Sequence, residues 1–276
     1  VAAALAIAAS MLWGTADFLG GVMSRRYKPI AVYGWAQVFG CAALALFAVS
    51  TGAWRADLGY LPWAIATGVV GLFSMVLFYT ALSTGPMGIV SPLVAVSVVI
   101  PLGYGLLRGE SPASTQVFGI VLAVSGILLA SGPELTDPGS ARPLLLAALS
   151  AVAFGAFVIF LDIGSETSPV MTVAVSRVVV VLLMVVVAVA FRSTGGIAGR
   201  DFGVVATLGI MEAASNVMFA VSITLDMLAT TSVLGSLYPV ATAVLAAIFL
   251  RERLKPIQYV GVAAAMIGVV LIAAGE

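Results

Sequence analysis

The sequence predicts an all-α integral membrane protein of ten transmembrane helices, folded as two inverted five-helix repeats around a central cavity. Three observations carry that prediction. Hydrophobic residues make up 62% of the 276 and charged ones only 9%, against roughly 25% charged in a soluble domain, so the apolar side chains outnumber what a soluble core hides. They gather into ten stretches, most of them matching the ~20 residues a spanning helix needs. The two halves also echo each other at a spacing of 141 to 142 residues: Glu252, Gly261 and Gly268 answer Glu110, Gly119 and Gly126, and Phe154-Gly155 answers Trp13-Gly14. An odd number of spans per half turns the second copy upside down in the bilayer, which is the inverted-repeat plan of secondary transporters.

The first repeat, 1–131, holds spans at 2–23, 30–50, 61–82, 88–107 and 115–131; a loop at 132–142 connects it to the second, 143–276, with spans at 144–163, 169–190, 202–223, 228–250 and 257–274. Taken in order, the spans carry few polar groups, and each such group needs compensation in a low-dielectric medium. The first span has Trp13 and, about four turns in, Asp17. The third ends in Tyr79, Thr80, Ser83 and Thr84, an aromatic ring with hydroxyls that suits a small amphipathic solute. The fourth holds Pro92 and Pro101, and its counterpart, the ninth, holds Gly235, Tyr238 and Pro239. Proline removes a backbone hydrogen bond and clashes with the preceding turn, and breaks in matching spans mark helices that bend around a substrate site. The fifth and tenth spans pair glycines seven residues apart, Gly119 with Gly126 and Gly261 with Gly268, as contacts of the scaffold or of a dimer. Arg177 lies eight residues into the seventh span, and Glu212 with Asn216 forms an i, i+4 pair on one face of the eighth. Trp54, Tyr60 and Trp63 fit an interfacial belt.

The candidate substrate-binding residues are therefore Trp13, Asp17, Tyr79, Ser83, Arg177, Glu212, Asn216 and Tyr238, and the candidate hinge or gating residues Pro92, Pro101, Gly235 and Pro239. For Arg177 the alternatives of a buried clamp with an acid and of snorkelling to an interface stay open. The connections, between four and about thirteen residues long, leave no place for a nucleotide-binding cassette, and no signal peptide is expected. Cys41 is the only cysteine and histidine is absent, which removes Ser-His and Cys-His nucleophile pairs and the commonest metal ligand. No enzyme activity, cofactor, metal or nucleic-acid partner is expected. The expected partners are a small-molecule substrate and the lipid bilayer, and a monomer suffices because both repeats are already fused.

Four segments carry a family resemblance: WGTADF, AVSRVVV with Arg177, LYPVATAVLAAIFLRERLKPIQYVG, and the weaker echo LRGESPASTQVFG. Over its whole length the chain resembles the drug/metabolite transporter superfamily, specifically the ten-helix EamA-type exporters, and within them it is most similar to the YddG-type amino-acid exporters. The resemblance implies a cavity opened alternately to each side, export of amino acids or related metabolites, a bacterial cytoplasmic membrane, and both termini in the cytoplasm. The loop charges argue the reverse orientation, with nine basic residues in the odd-numbered loops and two in the even-numbered ones. Two positions depart from the family pattern: Asp17 stands where a small or amide residue is common, and Gln37 where the first repeat commonly has arginine. Export of drugs or nucleotide sugars is the alternative reading, with a channel or an intramembrane enzyme behind it.

Overall fold

The computed structural model describes residues 1–85, 87–131, 141–192, 195–250 and 256–274. The described residues form helices and short connections, with no strand among them. The helices are α1 (Ala2–Ser24), α2 (Pro29–Thr51), α3 (Leu61–Thr84), α4 (Met87–Ala95), α5 (Val99–Leu107), α6 (Ser114–Ser131), α7 (Ala141–Ser165), α8 (Pro169–Phe191), α9 (Phe202–Leu225), α10 (Leu228–Gly235), α11 (Tyr238–Phe249) and α12 (Pro256–Ala274). Among the described residues seven stretches are long and apolar enough to cross a membrane: α1, α2, α3, α7, α8, α9 and the pair α10–α11, while the apolar segments Leu93–Leu107 and Ser114–Gly126 are shorter. Large apolar side chains such as Leu46, Phe73, Val189 and Phe249 point outward, where lipid rather than water is the solvent that suits them. The chain is a multi-pass membrane protein.

The predicted fourth and ninth spans are each divided, and a proline accounts for the place. A 3-10 turn at Val96–Val98 separates α4 from α5, one turn ahead of Pro101, which has no N–H to offer the carbonyl of Ser97. In the same way α10 stops at Gly235 and α11 starts at Tyr238, and Pro239 leaves the Gly235 carbonyl without its helical donor. Pro92 lies within α4, which continues past it.

Packing runs across the sequence more than along it. α1 lies against α9 and α3 against α7; α2 contacts both α8 and α9, and α3 contacts α8; α6 pairs with α12, α4 with α11 and α5 with α10. Ser74 and Ser150 exchange hydroxyl-to-carbonyl bonds of 3.1 and 2.9 Å between α3 and α7. Gly268 in α12 lies so close to α6 that a Cβ there would come within 2.6 Å of the Gly119 carbonyl, so these two predicted glycines meet within one chain.

Polar ties hold both ends of the bundle. At one end the Tyr27 hydroxyl donates to Asp201 at 2.6 Å. At the other, Arg108 bonds Asp162 at 3.0 Å and Glu166 at 2.7 Å. There too the Glu110 carboxylate accepts from the backbone N–H groups of Leu228 and Ala229, both at 2.9 Å. It thereby satisfies donors that the first turn of α10 leaves without helical partners and meets the positive end of its dipole. Glu252, its counterpart in the sequence repeat, lies outside the described residues.

Gly268→Leu is expected to lower thermal stability in detergent, because overpacking a close helix crossing costs about 1–3 kcal/mol. Gly103→Leu, at a position where a Cβ meets nothing within 4 Å, is expected to leave the unfolding temperature unchanged.

Candidate functional site

Where the two broken helices face each other, they enclose a cavity of about 80 Å³. α1 contributes Trp13 and Asp17, α9 contributes Glu212, Asn216 and Phe219, and α10–α11 contribute Ser232, Gly235, Ser236 and Tyr238. The opposite wall is made by Gly71 and Met75 of α3, Ser97, Val98 and Pro101 around the α4–α5 break, and Phe154, Phe157 and Val158 of α7, with Tyr33 from α2.

The helices position these groups through hydrogen bonds between halves. The Trp13 indole N–H donates to Asn216 Oδ1 at 2.8 Å, and the Trp13 ring packs on Phe219 with centroids 5.1 Å apart. The Thr242 hydroxyl donates to the Gly14 carbonyl at 3.0 Å, fastening α1 to α11 beside the cavity. Glu212 accepts from the Gln37 amide at 2.9 Å, and the other end of that side chain, Gln37 Oε1, accepts from Arg177. Arg177 and Glu212 also stand 3.8 Å apart as an ion pair. All three are nearly sealed, with Gln37 at 1%, Arg177 at 2% and Glu212 at 4% exposure. Arg177 Nε and Nη2 have no partner among the described residues.

Asp17 is different. It is 5% exposed, lines the cavity, and makes no hydrogen bond or ion pair among the described residues. No group of three or more His, Cys, Asp or Glu able to hold a metal ion occurs among the described residues.

Of the residues singled out in the sequence, Trp13, Asp17, Glu212, Asn216, Tyr238, Pro101 and Gly235 come together on the cavity wall. Arg177 stands behind Gln37 and Glu212. Tyr79 is fully buried and sits behind Tyr33, edge to face at 6.0 Å. Ser83 turns back to bond the Thr80 carbonyl at 2.9 Å within its own helix. Pro239 is buried at the start of α11, away from the wall, and the side chain of Pro92 lies outside the described residues.

The candidate residues left out Tyr33, Ser97, Phe157, Phe219, Ser232 and Ser236, and Phe154 entered only as the repeat echo of Trp13. The repeat spacing could have found some of them. Trp13 and Phe154, Asp17 and Val158, Gly71 and Glu212, Met75 and Asn216, and Ser97 and Tyr238 are five pairs of lining residues, each 141 apart.

An apolar-coated helical bundle that closes a partly polar cavity between broken helices is the architecture of a membrane transporter. The sequence profile of the EamA-like transporter family matches residues 1–132 and 141–274, and the chain belongs to that family of small-molecule transporters. It is also similar in fold to a protein of known crystal structure, with 16% identity, a TM-score of 0.78, and 99% of this chain and 96% of the other covered. Comparison with the curated proteins gave no match.

Removing one member of a buried ion pair costs about 3–5 kcal/mol, whereas replacing both with apolar groups is often close to neutral. Arg177→Met alone is therefore expected to destabilise strongly, and Arg177→Met combined with Glu212→Met to recover most of that loss. Thermal unfolding of the three variants in detergent, analysed as a double-mutant cycle, measures the coupling.

Proposed function

We propose that the chain is an alternating-access carrier of ten spans, built from inverted repeats at 1–131 and 143–276, that exports small amphipathic amine-bearing metabolites. Apolar and aromatic amino acids are the leading candidates, and a bacterial cytoplasmic membrane is the proposed location. The observation that carries this reading is the set of five lining pairs 141 residues apart, because a site built from equivalent positions of two repeats can present equivalent paths to both membrane faces. The helix pairings support it as well: exchanging the halves turns α1 against α9 into α7 against α3, and α2 against α9 into α8 against α3. The family profile matches in two segments, 1–132 and 141–274, which is compatible with a division near the middle of the chain.

In this reading Trp13 and Tyr238 flank the apolar part of the solute, and Asp17 meets its amino group. Asn216 and the unpartnered Ser232 hydroxyl face its polar end, while Arg177 and Tyr79 act from behind by holding Glu212 and Tyr33 in place. The breaks before Pro101 and Pro239 supply backbone that moves as the repeats rock. A nucleotide sugar fits this wall poorly, since its diphosphate would meet Asp17 and Glu212, and among the described residues no lysine or arginine lines the cavity.

Counterflow in proteoliposomes tests the reading. Vesicles preloaded with unlabelled phenylalanine, methionine or threonine are expected to take up the matching labelled solute saturably, with Trp13→Ala lowering exchange at least tenfold. Absence of exchange for all three, with protein shown to be folded, contradicts the amino-acid reading.

A further inference from the structure

The unpaired carboxyl group of the cavity points to what it selects. Glu212 is matched by Arg177 and Gln37, and Arg177, thus engaged, does not reach the wall. Asp17, buried and aimed into the same space, has no counter-charge. Packing alone does not call for a carboxyl here, because the position 141 residues later, Val158, fills the corresponding part of the opposite wall with an apolar side chain. Around Asp17 the cavity is rimmed by the rings of Trp13, Tyr33, Phe154, Phe157, Phe219 and Tyr238, and aromatic faces attract cations. Ser232 adds a second independent sign, a cavity-lining hydroxyl 5% exposed and without a partner, free to accept from an N–H. A buried carboxylate is costly until a cation pairs with it. A carboxylate brought in by the solute would find two acids and no lining cation.

We propose that Asp17 is the counter-ion of an organic-cation subsite. It receives the ammonium group of a small aromatic or apolar amine inside an aromatic cage, so that solutes of net positive charge are preferred to zwitterions, and zwitterions to anions. This rests on the cavity being the transport site, and among amine-bearing solutes it ranks those whose carboxyl group is absent or masked ahead of the free amino acids.

The test uses one aromatic body with four charge patterns: phenethylamine and phenylalaninamide as cations, phenylalanine as zwitterion and N-acetylphenylalanine as anion. Binding to the purified full chain is measured by calorimetry, and exchange by counterflow in proteoliposomes. The two cations are expected to bind at least tenfold more tightly than phenylalanine, with the anion weakest. Asp17→Asn is expected to erase that order and Asp17→Glu to keep it. Phenylalanine binding as well as the cations, a preference that survives Asp17→Asn, or no binding by any of the four overturns the proposal. Should Asp17→Asn not fold, the ranking in the parent and in Asp17→Glu decides. Asp17-dependent cation binding without any exchange upholds this site and defeats the carrier reading, whereas exchange of phenylalanine without cation preference does the opposite.

Discussion

The buried guanidinium of Arg177 is the constraint around which the rest of the bundle is arranged. A charge at this depth needs a partner, and the chain provides it from the other helices: Glu212 on α9, and Gln37 on α2, which accepts from the arginine and donates to the carboxylate. One amide thus binds α2, α8 and α9 together. The approach depends on Gly40, where a Cβ would stand 2.7 Å from the Gly209 carbonyl and 3.3 Å from Arg177 Nη1. With the arginine and one acid neutralising each other to one side, the cavity keeps a single unmatched carboxyl, and its electrostatic character follows from that division.

The cavity exists because two helices do not run through. Prolines at 101 and 239 open the ladder one turn earlier, and the breaks bring Ser97, Ser236 and Tyr238 to the wall. The short helix α10, only eight residues long, is marginal on its own. It is held by the Glu110 carboxylate at its first turn and by packing against α5. Tyr27 with Asp201 at one end, and Arg108 with Asp162 and Glu166 at the other, tie the halves together on both sides of the cavity. These contacts must loosen in turn if the site is to face each side.

Much of this was legible in the sequence because lipid makes polar residues rare and therefore informative. Asp17, Glu212, Asn216, Trp13 and Tyr238 stood out for that reason, and they share the cavity. Tyr79 and Ser83 stood out equally, yet their face of α3 turns elsewhere: the Tyr79 ring crowds Gly20, and the Ser83 hydroxyl is satisfied by its own helix. Which way a helix faces is set by its neighbours in the other half, and no property of a single span reports that. Phe157 of α7 and Phe219 of α9 escaped notice for a related reason, since phenylalanine is unremarkable among apolar residues, while Phe154 stood out only as the repeat counterpart of Trp13. The predicted fourth span was located correctly as an apolar segment, but proline chemistry divides it into α4 and α5.

Whether one cavity opens alternately to the two membrane faces can be read out by single-cysteine accessibility. In a Cys41→Ser background, Ser97→Cys and Ser232→Cys place thiols on the cavity wall, and a membrane-impermeant reagent is applied from either side of sealed vesicles. Labelling of both positions from each side is expected, with a transported solute raising it on one side as it lowers it on the other. Labelling from one side only, whatever solute is present, would contradict alternation, and simultaneous rise on both sides would indicate a channel.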